Sequence, residues 1–337
     1  MEAQKMENYP LLRTSSVLTW RNRLDHWLAR WRIRRTKHRV EPGLYELGHP
    51  TSGSPVFITA NYTLSFDALR SALGGIDGYI LVLDTQGVNV WCAAGKGTFG
   101  TDELVARLEA VGLQNITNRR KLILPQLGAT GVSAHEIKKR SGFTVEYGPV
   151  RAVDLPEYLE SRRATAEMRR VRFNLWDRLM VVPVEIIGSL LYLIAGAAIA
   201  YLAGGWLSVL ATITAILAGA ALFPILLPWI PAKDFSRKGF ILGGVVILPF
   251  VLELFLGLPG RPLWSQILTA LSYFLIFPSI TAFLALNFTG STTFTSKSGV
   301  RREIFKYVPI MAWMFGGGIV LTIVLKIIHV FSAGGRL

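Results

Sequence analysis

The chain of 337 residues holds a single cysteine, Cys92. One thiol excludes an internal disulfide, a four-cysteine zinc site and an iron–sulfur cluster held by the chain's own thiolates. Charge is also scarce: Asp, Glu, Lys and Arg make up 17% of the residues, below the level of an average soluble protein. Acids are the rarer sign, 22 against 36 basic residues, a net charge of +14. The opening MEAQKMENYP lacks an apolar core of signal-peptide length, which predicts that the N-terminal part stays in the cytoplasm. No internal repeat or low-complexity tract is evident.

What is present falls into two halves. The first 175 or so residues read as charged and globular; the rest are long apolar runs broken by short polar loops. Mean hydropathy is +0.40, which indicates membrane spans at this length. Apolar segments at 179–203, 206–230, 240–258, 263–286 and 307–330 predict five crossings. Basic residues precede the first span (Arg162, Arg163, Arg169, Arg170, Arg172) and lie between spans two and three (Lys233, Arg237, Lys238) and four and five (Lys297, Arg301, Arg302, Lys306). The opposite side has only Arg261 and Arg336, so the N-terminus is expected inside and the C-terminus outside an inner, cytoplasmic membrane. Glu185, Glu253 and Lys326 lie in or near the spans, too few charges to trace an ion path.

Half of the net charge, +7, lies in residues 1–40. Trp20, Leu24, Trp27, Leu28 and Trp31 recur with helical period within 16–39, with arginines over much of the remaining surface. That pattern suits a helix lying on anionic lipid, so membrane lipid rather than nucleic acid is the expected partner. The domains expected are a basic amphipathic segment (1–41), an α/β domain (42–160) opening with a Gly/Pro-rich linker, a basic linker helix (161–178, overlapping a charged helix expected over 154–172) and a membrane domain (179–337). In the α/β domain, strands are expected at 56–59, 79–83, 88–91, 121–124 and 143–147. Helices are expected at 64–73, from Thr101 as a cap to about 111, and from Ser133. Strands alternating with helices imply a mainly parallel, Rossmann-like sheet.

The informative stretch surrounds Cys92: a short strand, then small residues, a Gly-rich turn and a helix, which places the thiol at a strand end where α/β sheets present ligands. A phosphate loop is one alternative, but Val90 stands where the first glycine of that pattern belongs and Gly97 follows Lys96. A buried structural cysteine and a nucleophilic thiol with His135 as its base remain open on the residues alone.

Residues 89–96 read NVWCAAGK and resemble the signature of the mercury-methylating corrinoid proteins of anaerobic microbes. Residues 59–63 (TANYT) with Phe66 and Asp67, 124–132 (LPQLGATGV) and 147–151 (YGPVR) are similar to the corrinoid domain of the acetyl-CoA-pathway corrinoid iron–sulfur protein. This resemblance covers about 55–160. The membrane bundle, with a familial-looking NFTGST at 287–292, sets the mercury-methylating family apart from that relative. The D-x-H-x-x-G motif of histidine-ligated corrinoids is absent. The resemblance implies an α/β corrinoid-binding domain before an all-α transmembrane bundle, with the Cys92 thiolate as catalytic residue and lower axial ligand of cobalt. It implies cofactor contacts from Asn61, Thr63, Asn89, Trp91, Ala93, Ala94, Gly95, Lys96, Gly128, Gly131 and Val132. The implied activity is corrinoid-dependent methyl transfer to Hg(II), forming methylmercury, with a methyl-tetrahydrofolate-linked donor and a ferredoxin-like electron donor carrying two [4Fe–4S] clusters. A membrane-tethered corrinoid carrier serving another acceptor is the alternative, and a transporter with a cytoplasmic regulatory domain a third.

Overall fold

The computed structural model describes residues 10–34, 37–257, 262–292 and 294–334. Its internal contacts divide the chain into two compact units that meet between Arg172 and Phe173.

The first unit is built on a six-stranded sheet: β1 (Leu12–Thr14), β2 (Gly43–Leu47), β3 (Val56–Ala60), β4 (Gly78–Leu83), β5 (Lys121–Leu124) and β6 (Thr144–Tyr147), in the order β1-β2-β4-β3-β5-β6. Every pairing is parallel except β2 against β4. Every residue of β3 and β4 is buried, the signature of parallel strands covered on both faces. Among the described residues seven helices accompany the sheet: α1 (Trp20–Arg30), α2 (Thr63–Ala72), α3 (Val90–Lys96), α4 (Thr101–Ala110), α5 (Leu113–Ile116), α6 (Ala134–Ser141) and α7 (Leu155–Ser161). Alternate strand residues feed two cores. Ile58, Leu81, Leu83, Leu122 and Leu124 pack with Ala93, Ala94, Phe99, Leu104 and Ile137 beneath α3, α4 and α6. Phe57, Ile80, Val82 and Ile123 pack with Phe66, Leu69, Leu73, Leu155 and Tyr158 beneath α2 and α7.

Most strands and helices expected from the pattern are present, with six corrections. Residues 42–53 contain β2, which joins the sheet through backbone bonding that composition does not encode. β1 is an unexpected edge strand. The helix expected over 16–39 is confined to Trp20–Arg30, because Thr19 caps its start and Arg32 takes a left-handed conformation past its end. The charged helix expected over 154–172 stops at Ser161, where Arg162 is left-handed. Thr101 does not cap α4; Gly100 occupies that position, and Thr101 Oγ1 instead accepts from the Ser133 N–H at 2.9 Å. Residues 88–91 are not a strand; the chain turns into α3 there.

Among its described residues the second unit contains four helices long and apolar enough to cross a membrane: Leu175–Leu226, Phe235–Leu256, Leu263–Ser291 and Ser298–Phe331. The first, of 52 residues, is broken at Gly204 and Gly205, the latter at φ +68°. A Cβ at Gly196 would stand 3.2 Å from Thr212 Cγ2. Sixteen residues of continuous helix would separate those positions by about 24 Å, so the chain reverses at the break. The two arms, 175–203 and 206–226, correspond to the first two of the five expected segments. Lys326 Nζ donates to the Leu202 carbonyl beside the break. Lys326, Glu253 and His329 line one cavity of about 500 Å³ with Ser208 and Tyr273, a grouping that their separate positions in the sequence do not reveal.

Candidate functional site

Asn89 begins the site. Its side-chain Oδ1 accepts the Cys92 N–H at 2.9 Å and caps α3. The loop ahead of it is fixed from below by Asn61, which is 2% exposed at the carboxyl end of β3. Asn61 Oδ1 accepts from Thr85 N (3.1 Å), Thr85 Oγ1 (2.9 Å) and Gly87 N (2.9 Å), while Nδ2 donates to Asp84 Oδ1 (3.1 Å). Thr85 Oγ1 also lies 2.6 Å from the Val88 carbonyl. The loop adopts left-handed backbone at Gln86 (φ +57°) and Gly87 (φ +72°), and these bonds hold it there.

Helix α3 has two distinct faces. Ala93 and Ala94 are buried in the core and point at the sheet. Trp91 and Cys92 are half-buried, and Gly95 and Lys96 are exposed. Cys92 shares a face with Gly95 and Lys96, three and four residues on. A Cβ built on Gly95 meets nothing within 4 Å, so the helix backbone is bare beside the thiol. Gly97, at φ +87°, ends the helix.

The turn at Gln126–Thr130, at the carboxyl end of β5, backs this helix. A Cβ on Gly131 would stand 2.2 Å from Phe99 O and 2.9 Å from Ala94 Cα, and one on Gly128 would stand 2.6 Å from Phe99 Cε1. Val132 is 3% exposed, and its carbonyl accepts from Tyr147 Oη at 2.6 Å. Gly128, Gly131, Val132, Ala93 and Ala94 are therefore brought together as the packing layer under Cys92 rather than as an outward surface. Thr63 is buried at the start of α2, where its N–H donates to His38 O at 3.1 Å. His135 is exposed on α6, and no hydrogen bond joins it to Cys92 among the described residues. The thiol lies at the carboxyl edge of the parallel strands, as expected, but on the first turn of a helix instead of a strand end.

Sequence reading missed the support beneath α1 and α2. Asp67 is buried, with Oδ2 2.7 Å from His26 Nε2 and Oδ1 accepting from Arg70 Nε at 2.6 Å. Burial alone would raise this carboxyl, but the bonds to His26 and Arg70 outweigh it and hold the pKa below the usual carboxylate range. The opposite side of α1 is uncovered within the first unit: Trp20, Leu24 and Trp27 are 69%, 46% and 54% exposed.

A metal at Cys92 would find no set of three His, Cys, Asp or Glu side chains to hold it among the described residues. One soft sulfur beside a bare glycine surface instead suits a metal that arrives with its equatorial ligands already in a flat ring. The residues present fit that kind of group.

Comparison with known proteins bears on this unit. Residues 23–159 match the family model described as CO dehydrogenase/acetyl-CoA synthase delta subunit. Subunit gamma of the acetyl-CoA decarbonylase/synthase complex of Archaeoglobus fulgidus is 34% identical over 128 residues, 37% of this chain and 27% of that protein. The same subunit of Methanopyrus kandleri is 31% identical over 128 residues, again 37% and 27%. The corrinoid/iron–sulfur protein large subunit of Moorella thermoacetica is 30% identical over 129 residues, 38% and 28%. The chain thus spans about a quarter of the length of these relatives. The α/β unit is therefore similar to part of the gamma subunits of acetyl-CoA decarbonylase/synthase complexes and of a corrinoid/iron–sulfur protein large subunit.

Proposed function

We propose that the α/β unit holds a corrinoid on the outward face of α3 and serves methyl transfer, with the Cys92 thiolate as the lower axial ligand of cobalt and Hg(II) as the methyl acceptor. The observation that carries this reading is the pairing of Cys92 with the bare surface of Gly95 on a helix anchored by Asn89. Homology of residues 23–159 to corrinoid-linked subunits supports the cofactor class, and the NVWCAAGK signature supports the acceptor.

The bound corrinoid would supply a cobalt that takes up and releases a methyl group. The chain's residues hold and tune it. Trp91 and Gly95 would flank a flat ring, and exposed Lys96 would reach its polar periphery. Asn61, Ala93, Ala94, Gly128, Gly131 and Val132 act beneath it by fixing α3 and its approach loop. Hg(II) is an electrophile, so a methyl group must reach it carrying electron density. The anionic sulfur of Cys92 would supply that density to a bound corrinoid, where a neutral imidazole would not. The chain's single thiol cannot also hold clusters, so the electrons needed to return an oxidised corrinoid to its reduced state would come from a partner, in this reading a ferredoxin-like protein with two [4Fe–4S] clusters. The methyl donor in this reading is a methyl-tetrahydrofolate-linked protein. In this reading the chain sits in the cytoplasmic membrane, a location the four apolar helices support, with the α/β unit on the cytoplasmic side and the uncovered Trp20, Leu24 and Trp27 on lipid.

The test is to express Cys92→Ala, Cys92→Thr and Cys92→His at matched levels, record the cobalt spectrum anaerobically and assay methylmercury. Cys92→Ala loses methylation. Cys92→Thr keeps most of the corrinoid, which many contacts bind, yet is inactive. Cys92→His ligates at best, with little turnover. Wild-type methylation by Cys92→Ala overturns the thiolate assignment. Corrinoid loading without methylmercury in the wild type transfers the function to a methyl carrier serving another acceptor.

A further inference from the structure

Away from Cys92, the first unit contains a cleft of about 770 Å³ beside the edge strand β6, under the segment that follows α7. Among the described residues, five cationic side chains line it, Arg119, Lys121, Arg162, Arg163 and Arg169, against a single carboxylate, Glu146. That carboxylate is already satisfied. Lys121 Nζ lies 2.6 Å from Glu146 Oε2, and the Tyr158 hydroxyl donates to Oε1. Burial acts to raise the Glu146 carboxyl, and these two bonds, with the field of Lys121 and Arg162, prevail and hold it below the usual carboxylate range. Lys121 and Glu146 thus cancel, and four guanidinium groups remain. Arg169 donates to the neutral Gln126 side chain at 2.8 Å, and Arg119 donates to the Gly53 carbonyl at 3.5 Å. Arg162 and Arg163 are exposed and make no direct ion pair with a carboxylate among the described residues. Tyr147 forms a half-buried aromatic wall.

The geometry points to a binding site for a phosphate-bearing anion in this cleft. Four guanidiniums converging on one open space repel one another unless an anion lies among them, and their planar donor forks match phosphate oxygens in pairs. The volume exceeds one phosphate, so the ligand class is a diphosphate or a phosphate ester. Two sources carry that chemistry. One is a soluble phosphorylated compound. The other is the headgroup of an anionic lipid, which chain length permits: Arg169 lies six residues before the first membrane helix begins at Leu175, a reach of at most about 20 Å.

The experiment is calorimetric titration of the full-length protein with inorganic pyrophosphate in nanodiscs of phosphatidylcholine. Saturable binding is expected, weakened about ten-fold or more in Arg162→Gln/Arg163→Gln. Arg140→Gln/Arg170→Gln, which removes the same charge outside the cleft, leaves it unchanged. Arg162→Lys/Arg163→Lys, which keeps the charge and loses the forks, falls between the two. Repeating the titration in phosphatidylglycerol nanodiscs separates the sources. A headgroup occupant suppresses pyrophosphate binding by the wild type in those discs, whereas a soluble one leaves the titration as it was in phosphatidylcholine. Absence of saturable pyrophosphate binding in phosphatidylcholine, or equal weakening by both glutamine pairs, overturns the site.

Discussion

Asn89 Oδ1 accepts the backbone N–H of Cys92 at 2.9 Å, so the side chain that starts α3 is bonded to the residue that carries the thiol. Substituting Asn89 by alanine removes the cap at a cost of about 1 kcal/mol and lets the first turn fray. Asn89→Ala is expected to fold but to take up less corrinoid, whereas Asn89→Asp and Asn89→Ser, which also cap, retain uptake. The cobalt spectrum at matched protein concentration checks this. Full uptake by Asn89→Ala would show that the cap does not position Cys92.

Two glycines near Cys92 should respond in opposite ways. Gly131→Ala drives a methyl into Phe99 O and Ala94 Cα, backbone atoms that cannot give way without moving α3. The expected result is a fall in melting temperature together with loss of corrinoid, at a cost of about 1–3 kcal/mol for overpacking. Gly95→Ala meets open space and gains helix propensity, so its melting temperature is unchanged or higher. It should still lower corrinoid affinity, because the added methyl projects from the face that carries Cys92. A Gly95→Ala protein that binds corrinoid as tightly as wild type moves the ring to another surface.

Asp67 gives the α/β unit an acid limit. Its carboxyl is held below the ordinary range in the folded protein, so it binds protons more readily when unfolded. Its contribution to stability is therefore complete above the unfolded pKa, about 4, and is lost as pH falls through the lower folded value. Asp67→Asn removes the carboxylate that Arg70 and His26 share, leaving Arg70 to the carbonyls of Ser15 and Val17, and is expected to cost on the order of 3 kcal/mol at neutral pH, with a shallower loss of stability on acidification. Melting curves for both proteins between neutral pH and pH 3 to 4 read the two effects. Parallel acid limbs would assign the acid sensitivity to other carboxylates.

The basic residues predict which loops face the cytoplasm. In a Cys92→Ser background, Lys233→Cys is expected to resist an impermeant maleimide in intact cells and to label after lysis. Ala203→Cys, beside the Gly204–Gly205 reversal, is expected to label in intact cells. Both positions are exposed on the protein itself, unlike Ser236, which is buried against Glu303. Labelling of Lys233→Cys in intact cells inverts the topology.

Much of the architecture is legible in local pattern. The continuous apolar runs of β3, β4 and β5 announce strands covered on both faces, and Ser133 marks the start of α6. Residues 88–91 mislead because Val88, Val90 and Trp91 favour extended structure, while one hydrogen bond, from the Cys92 N–H to the Asn89 side chain, caps a helix there. β2 is invisible for a related reason: a short segment after Gly43 becomes a strand only because β4 offers it an edge. Trp20, Leu24 and Trp27 were readable as an amphipathic face, and the helix does leave them uncovered within its own unit.

The sequence by itself determined the single thiol, the apolar segments and the small residues around Cys92, because composition and spacing suffice for each. Tertiary structure decided which small residues serve packing and which leave a surface. Ala94 and Gly131 meet each other across a turn contributed by β5, and Gly95 meets nothing. It also gave the amide of Asn61 to the loop before α3, and gathered Arg119, Arg162, Arg163 and Arg169 into one cleft. These juxtapositions join residues tens of positions apart, through hydrogen bonds and steric contacts that exist only once the sheet order is set. No periodicity within one segment can encode them.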